Sequence, residues 1–200
     1  MDLNAIREAL RARLDAKNAA REEALPLCRR VVRTSANAIR AIHRGERGEA
    51  DALIDEARAG LDKAASAMQN HPDVMFAGFF HDAAKEFAEA SITYALAFAL
   101  PLPGPEALGV EPASYLNGMG EAIGEMRRHL LDLMRHGHLE RSEELLDAMD
   151  DIYYLLISMD YPDAITGGLR RTTDVSRSII ERTRGDLSTT IIQDKLRIAL

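Results

Sequence analysis

Apolar residues recur at three- and four-residue spacing over almost the whole chain, and strand-like alternation is not visible in any window. That spacing predicts α-helices and no strands. Punctuation sets the boundaries. A first helix over 2–44 ends in the glycine-containing HRGERGE, a second over 46–70 ends at Asn70-His71-Pro72, and a third over 74–99 is stopped by Pro101. A fourth opens near Pro112, suited to a first helical turn, and closes at Gly137, suited to a left-handed cap. A fifth covers 139–160, and a last one begins near Pro162 or Gly168 and runs towards Leu200, with Gly185 a candidate bend. Pro26 lacks a backbone donor and crowds the preceding turn, so it is expected to kink or split the first helix. The segment 101–111, PLPGPEALGVE, is the one long irregular connection, of a length that is often functional or at an interface. The predicted architecture is all-α: a bundle of about six to seven helices, packed near-antiparallel in one domain over 1–200.

Composition narrows the function classes. With 200 residues and 46% hydrophobic content the chain can bury a sizeable core without covalent staples. Cys28 is the single cysteine, so no intrachain disulfide is possible and no Cys/His zinc pattern exists, which fits a reducing cytoplasm. The N-terminus is charged from its first residues, unlike a secretory signal, and the apolar run Ala90 to Pro105 is broken by three prolines before it can span a bilayer. No membrane partner is expected. The six histidines are scattered, which disfavours imidazole-based metal chemistry. The formal charge of −7 means that any nucleic-acid footprint is local rather than global.

Two acidic pairs carry candidate chemistry. Glu86 and Glu89 lie three apart on the third helix and share a face, about sixty degrees from one another. Phe76, Phe80, Ala83, Phe87, Ala90 and Tyr94 mark the apolar arc, placing Glu86 at its border and Glu89 further out. Glu121 and Glu125 lie one turn apart on the fourth helix, beside Gly118, Gly120 and Gly124, whose lack of a side chain lets another backbone or a ligand come close. If the two helices pack antiparallel, four carboxylates converge, and such a cluster must bind a cation or share protons. Oxygen-only ligation suits Mg²⁺ or Mn²⁺. The plainer reading is that each pair is a solvated face or is matched by neighbouring Lys and Arg.

A basic stripe lies upstream. Arg29, Arg33, Asn37, Arg40 and Arg44 fall within roughly eighty degrees of arc on the first helix, while Cys28, Val31, Ile39 and Ile42 occupy its other side. Guanidinium forks bind phosphate bidentately and stack on unpaired bases. Here the plainer reading is pairing with Glu49, Asp51, Asp55 and Glu56 of the next helix. His43, beside Arg44, is able to donate to a phosphate or to cap the helix end, and Arg170, Arg171 and Arg177 form a second, weaker patch.

The segments RRVVRTSANAIRAIHRGE (29–46), AAKEFAEA (83–90), YLNGMGEAIGEMRR (115–128) and GLRRTTDVSRSIIERTRGDL (168–187) together resemble the translin and translin-associated factor X (TRAX) family. The likeness covers most of the chain. It implies an all-α subunit that assembles into hollow homo-oligomers, octamers, around single-stranded RNA or DNA, and a catalytic branch that cleaves RNA with a divalent metal. By position, Glu86 and Glu89 match that branch's paired glutamates, and Glu121 and Glu125 match an aspartate and a glutamate. Glu121 departs from the pattern by one methylene.

Three functions compete. The first is a Mg²⁺-dependent endoribonuclease in which the four glutamates hold metal and the stripe, with His43, holds the strand. The second is a non-catalytic single-stranded nucleic-acid scaffold, expected to bind in a salt-sensitive way with no metal requirement. The third is an all-α nucleoside triphosphate pyrophosphatase, which shares a Glu-x-x-Glu followed by a later acidic pair.

Overall fold

The computed structural model describes residues 3–199; the expectations that reach Asp2 and Leu200 lie outside them. Among the described residues there are nine helices and no strand. Six are long: α1 Leu3–His43, α2 Arg47–Met68, α4 Gly78–Ala97, α6 Pro112–Arg135, α7 Leu139–Ser158 and α9 Leu169–Ala199. Three are single turns inside connections: α3 Pro72–Met75, α5 Pro105–Leu108 and α8 Asp163–Thr166. The higher helix number comes from these turns, two of which start on a proline whose fixed φ suits a first helical position.

Neither residue expected to disturb a long helix splits it. Helix α1 runs without a break through Pro26, and α9 through Gly185. Pro26 is exposed, while Ala24 and Cys28 on either side of it are buried. The lost hydrogen bond therefore faces water, and packing of the opposite face holds the helix together.

Contacts along the helices give their directions. Helices α1 and α2 form a hairpin closed at Gly45, which takes φ +72°, and α6 and α7 form another closed at Gly137, with φ +80°. Helices α4 and α6, in contrast, run in the same direction. His81 meets Ser114, Lys85 and Glu89 meet Gly118, and Lys85 meets Glu121, so contacts advance together along both. The antiparallel arrangement expected for this pair is thus corrected. The physical reason is the connection 98–111, long enough to carry the chain back along the bundle and start α6 at the same end as α4. Two hydrogen bonds hold that crossover: Tyr115 donates to the Pro103 carbonyl and Arg58 to that of Ala107.

Helix α4 lies at the centre, packed by α1, α2 and α6, and residues Phe87 to Thr93 are all buried. Small side chains at Ala83, Ala84, Ala88 and Ala90 let three neighbours approach it. The core continues through Ile92, Ile123, Met126, Leu130, Leu145, Met149 and Leu156, all almost fully buried. Each large apolar side chain there contributes about 1.5–3 kcal/mol relative to exposure.

Candidate metal centre

Gly118 sets the distance between the two acidic helices. A Cβ there would lie 2.7 Å from the Lys85 carbonyl oxygen and 2.9 Å from the Glu89 nitrogen, both backbone atoms. Only glycine permits this approach. One turn further along α6, Glu121 is carried to the carboxylates of α4. One oxygen from each of Glu86, Glu89 and Glu121 lies within 4.8 Å of the others. Gly120 performs a similar service towards α9, where a Cβ would meet the Thr172 methyl at 2.4 Å. Gly124 faces only ordinary contact, with Ile179 at 3.9 Å.

Burial inverts one expectation. Glu89, read from the helix arc as the outer residue, is the buried one, with 8% of its surface exposed, whereas Glu86 is half-buried. The arc defined by the aromatic residues marks one face of α4, but α6 covers a second. Desolvation, then the charges of Glu121, Glu86 and Glu125, push the Glu89 carboxyl up to about 8. Burial likewise raises Glu86. A carboxylate in this position is charged at neutral pH only if a cation joins it.

One resident cation is present that helix spacing did not reveal. The Lys85 ammonium donates to Glu121 at 2.7 Å and lies 3.5 Å from Glu86. Its position next to Glu86 in the sequence was the available signal.

Glu125 stands apart from the three convergent carboxylates and is held by His43, whose Nε2 is 2.5 Å from Glu125 Oε2. The His43 side chain is 4% exposed, and its Nδ1 is buried with no partner. An orphaned lone pair costs less than an orphaned N–H, which favours the tautomer with the proton on Nε2, donated to Glu125. This bond holds the Glu125 carboxyl below its usual value. His43 thus faces the acidic helix, one step round α1 from the arginines.

Those arginines line the exposed side of α1. Arg29, Arg33, Asn37, Arg40 and Arg44 are all exposed, and Cys28, Val31, Ile39 and Ile42 are buried behind them. Arg40 donates to Asn37, and Arg44 pairs with Glu46 and Glu49. Arg29 and Arg33 have no ion-pair partner among the described residues.

An open cleft of about 1020 Å³ adjoins the carboxylates, between α4, α6 and the α8–α9 corner. Lys85, Glu89 and Glu121 stand on one wall, Arg171 and Thr172 on another, and Asn117 at the junction. Asn117 donates to the Thr166 carbonyl at 2.7 Å and accepts from Thr172 at 2.7 Å, fixing that corner to α6. Arg171 thus lines the same cleft as Glu89 and Glu121, while Arg177 is tied to Glu181.

Solved structures share this arrangement of helices. AfC3PO alone and AfC3PO in complex with duplex RNA each superpose with a TM-score of 0.86 at 33% sequence identity, covering 93% of this chain and 97% and 96% of theirs. The chain belongs to the translin family. A structure of apo-NeC3PO, 20% identical, shows the same translin fold with a TM-score of 0.80 over 94% of this chain and 97% of that one. An uncharacterised protein of Methanocaldococcus jannaschii is 33% identical over 183 residues, 90% of this chain and 81% of that one. No family model matches the sequence. As a translin-family chain it has the expected all-α bundle, and among its described residues no helix is long and apolar enough to cross a membrane.

Proposed function

We propose that this translin-family chain is a Mg²⁺- or Mn²⁺-dependent endoribonuclease that acts on single-stranded RNA inside a homo-oligomer, an octamer by family resemblance. The observation that carries the proposal is the meeting of Glu86, Glu89 and Glu121 at one point beside an open cleft. The donor set fits the metal: oxygen ligands only, close enough to share one ion, with one carboxylate too buried to ionise alone. A bound dication supplies an activated water and neutralises charge on the phosphodiester. Glu86, Glu89 and Glu121 would hold it, and Glu125, fixed by His43, is the fourth acidic member. Arg29, Arg33, Arg40 and Arg44 offer phosphate contacts along the strand. That a 33% identical relative was solved with duplex RNA supports RNA as the polymer.

Exposed apolar residues support self-assembly. Leu3, Ile6, Leu10 and Leu14 form one stripe on the first turns of α1, and Tyr154, Ile157 and Tyr161 are exposed on and just after α7. Surfaces of this kind mark protein contacts.

One observation favours the scaffold reading instead: Lys85 and His43 already supply partners to Glu121, Glu86 and Glu125. The two are separated by incubating labelled single-stranded and duplex RNA with wild type and with Glu86→Ala/Glu89→Ala, with Mg²⁺ or EDTA. The nuclease reading expects cutting by wild type with Mg²⁺ alone. Binding without cutting leaves the scaffold.

A further inference from the structure

We propose that Lys85 is a counter-ion built into the acidic cluster, displaced from Glu121 when a divalent cation binds, and that the freed ammonium then holds a phosphate of the strand in the adjoining cleft. The inference rests on the metal reading above and assigns a residue outside the four glutamates.

The geometry sets up a competition. Lys85 Nζ lies 2.7 Å from Glu121 Oε1 and 3.5 Å from Glu86 Oε1, and both residues belong to the convergent set. A dication of the Mg²⁺ type takes its oxygens at about 2.1 Å. Sharing a carboxylate oxygen with an ammonium at hydrogen-bond distance would force two cations together in a half-buried site. Their repulsion favours release of the ammonium, which sits on a flexible stem beside the cleft. The Lys85 backbone does not move with it, because its carbonyl is packed against Gly118.

The exit is the cleft, which Lys85 already lines. Arg171 lines the same cleft, exposed and without an ion-pair partner among the described residues. Charge balance gives the released ammonium a task. Three ionised carboxylates and one dication retain a negative charge, which repels a phosphodiester. Lys85, turned into the cleft, cancels that charge and presents donors to the arriving phosphate. Metal binding and strand binding are thereby coupled through one side chain.

Calorimetric titration of Mn²⁺ into the full chain tests the competition, comparing wild type with Lys85→Met, Lys85→Gln and Lys85→Arg. The neutral variants are expected to bind Mn²⁺ about tenfold more tightly than wild type, as the loss of a competing charge at this range implies, and Lys85→Arg no more tightly. The second measurement is anisotropy of a labelled single-stranded DNA oligonucleotide, which resists hydrolysis, in EDTA and in saturating Mn²⁺. Wild type is expected to gain affinity on adding Mn²⁺, and the neutral variants to lose most of that gain. Unchanged or weaker Mn²⁺ binding by folded Lys85→Met and Lys85→Gln overturns the counter-ion role. A gain in strand affinity that survives in both overturns the phosphate role. If wild type binds no Mn²⁺ at all, the metal reading itself falls, an outcome distinct from the other two.

Discussion

His43 Nε2 and Glu125 Oε2 lie 2.5 Å apart, and this hydrogen bond joins the end of the arginine-bearing α1 to α6. His43→Ala is expected to destabilise the protein by about 1–3 kcal/mol, since it strips a half-buried carboxylate of its donor. Urea denaturation at neutral pH measures this. The pH dependence has a definite sign. The folded protein holds Glu125 below its ordinary 4.5, so the stabilisation is present above that value and disappears as pH falls through the lower folded one. Wild type should lose stability faster than His43→Ala below about pH 4.5.

Glu89 predicts the opposite slope. Its folded value is raised from 4.5 to about 8, so in the absence of metal the native state retains a proton that the unfolded chain releases. Stability is expected to fall as pH rises across that window, by an amount on the order of a few kcal/mol, and to stay flatter in Glu89→Gln. Thermal melts between pH 5 and 8.5 read this directly. Millimolar Mg²⁺ should raise the wild-type melting temperature more at pH 8 than at pH 5.5.

Gly118→Ala is expected to force α4 and α6 apart, because the new methyl would meet backbone and not a movable side chain. A cost of about 1–3 kcal/mol in denaturation follows, together with weaker Mn²⁺ binding as Glu121 moves from its partners. Gly124→Ala is the control. Its methyl has room, and the helix gains up to about 1 kcal/mol of propensity.

The fold was largely legible in the sequence. Periodicity located all six long helices, and prolines and glycines located most of their ends. Pro26 and Gly185 do not end their helices for one reason: local propensity is set against tertiary packing on the opposite helix face, and packing keeps both helices continuous. At the site, three of the four glutamates expected to converge, Glu86, Glu89 and Glu121, do so, on helices that run in the same direction and not antiparallel, while Glu125 is held by His43. The depth of Glu89 was not legible, since it depends on a second neighbour of α4 that only the crossover supplies. Lys85 and the His43–Glu125 bond were hidden for the same reason, because both join helices distant in sequence.

Cys28 is buried, and desolvation raises its thiol to about 11, so little thiolate exists at neutral pH. A thiol reagent at pH 7.5 should leave the native protein unmodified over a time in which urea-unfolded protein reacts fully. Rapid labelling of native protein would contradict the packing of α1 described above.

Arg29 and Arg33, exposed and without ion-pair partners among the described residues, are the stripe members most available to phosphate. Changing both to Gln is expected to weaken single-stranded RNA binding and to lower the slope of log affinity against log salt by about 0.7 for each phosphate no longer neutralised. Changing Arg44, already engaged with Glu46 and Glu49, should alter the slope less.

Because the connection 98–111 carries the chain from one end of the bundle to the other, Glu86 and Glu89 on α4 and Glu121 on α6 lie on opposite sides of it in the chain, and neither part holds a site alone. Severing that strap would leave each group of helices free to form its own turns, yet the cluster would then depend on two fragments finding each other in solution. Its assembly would turn from a property of one molecule into one that varies with concentration.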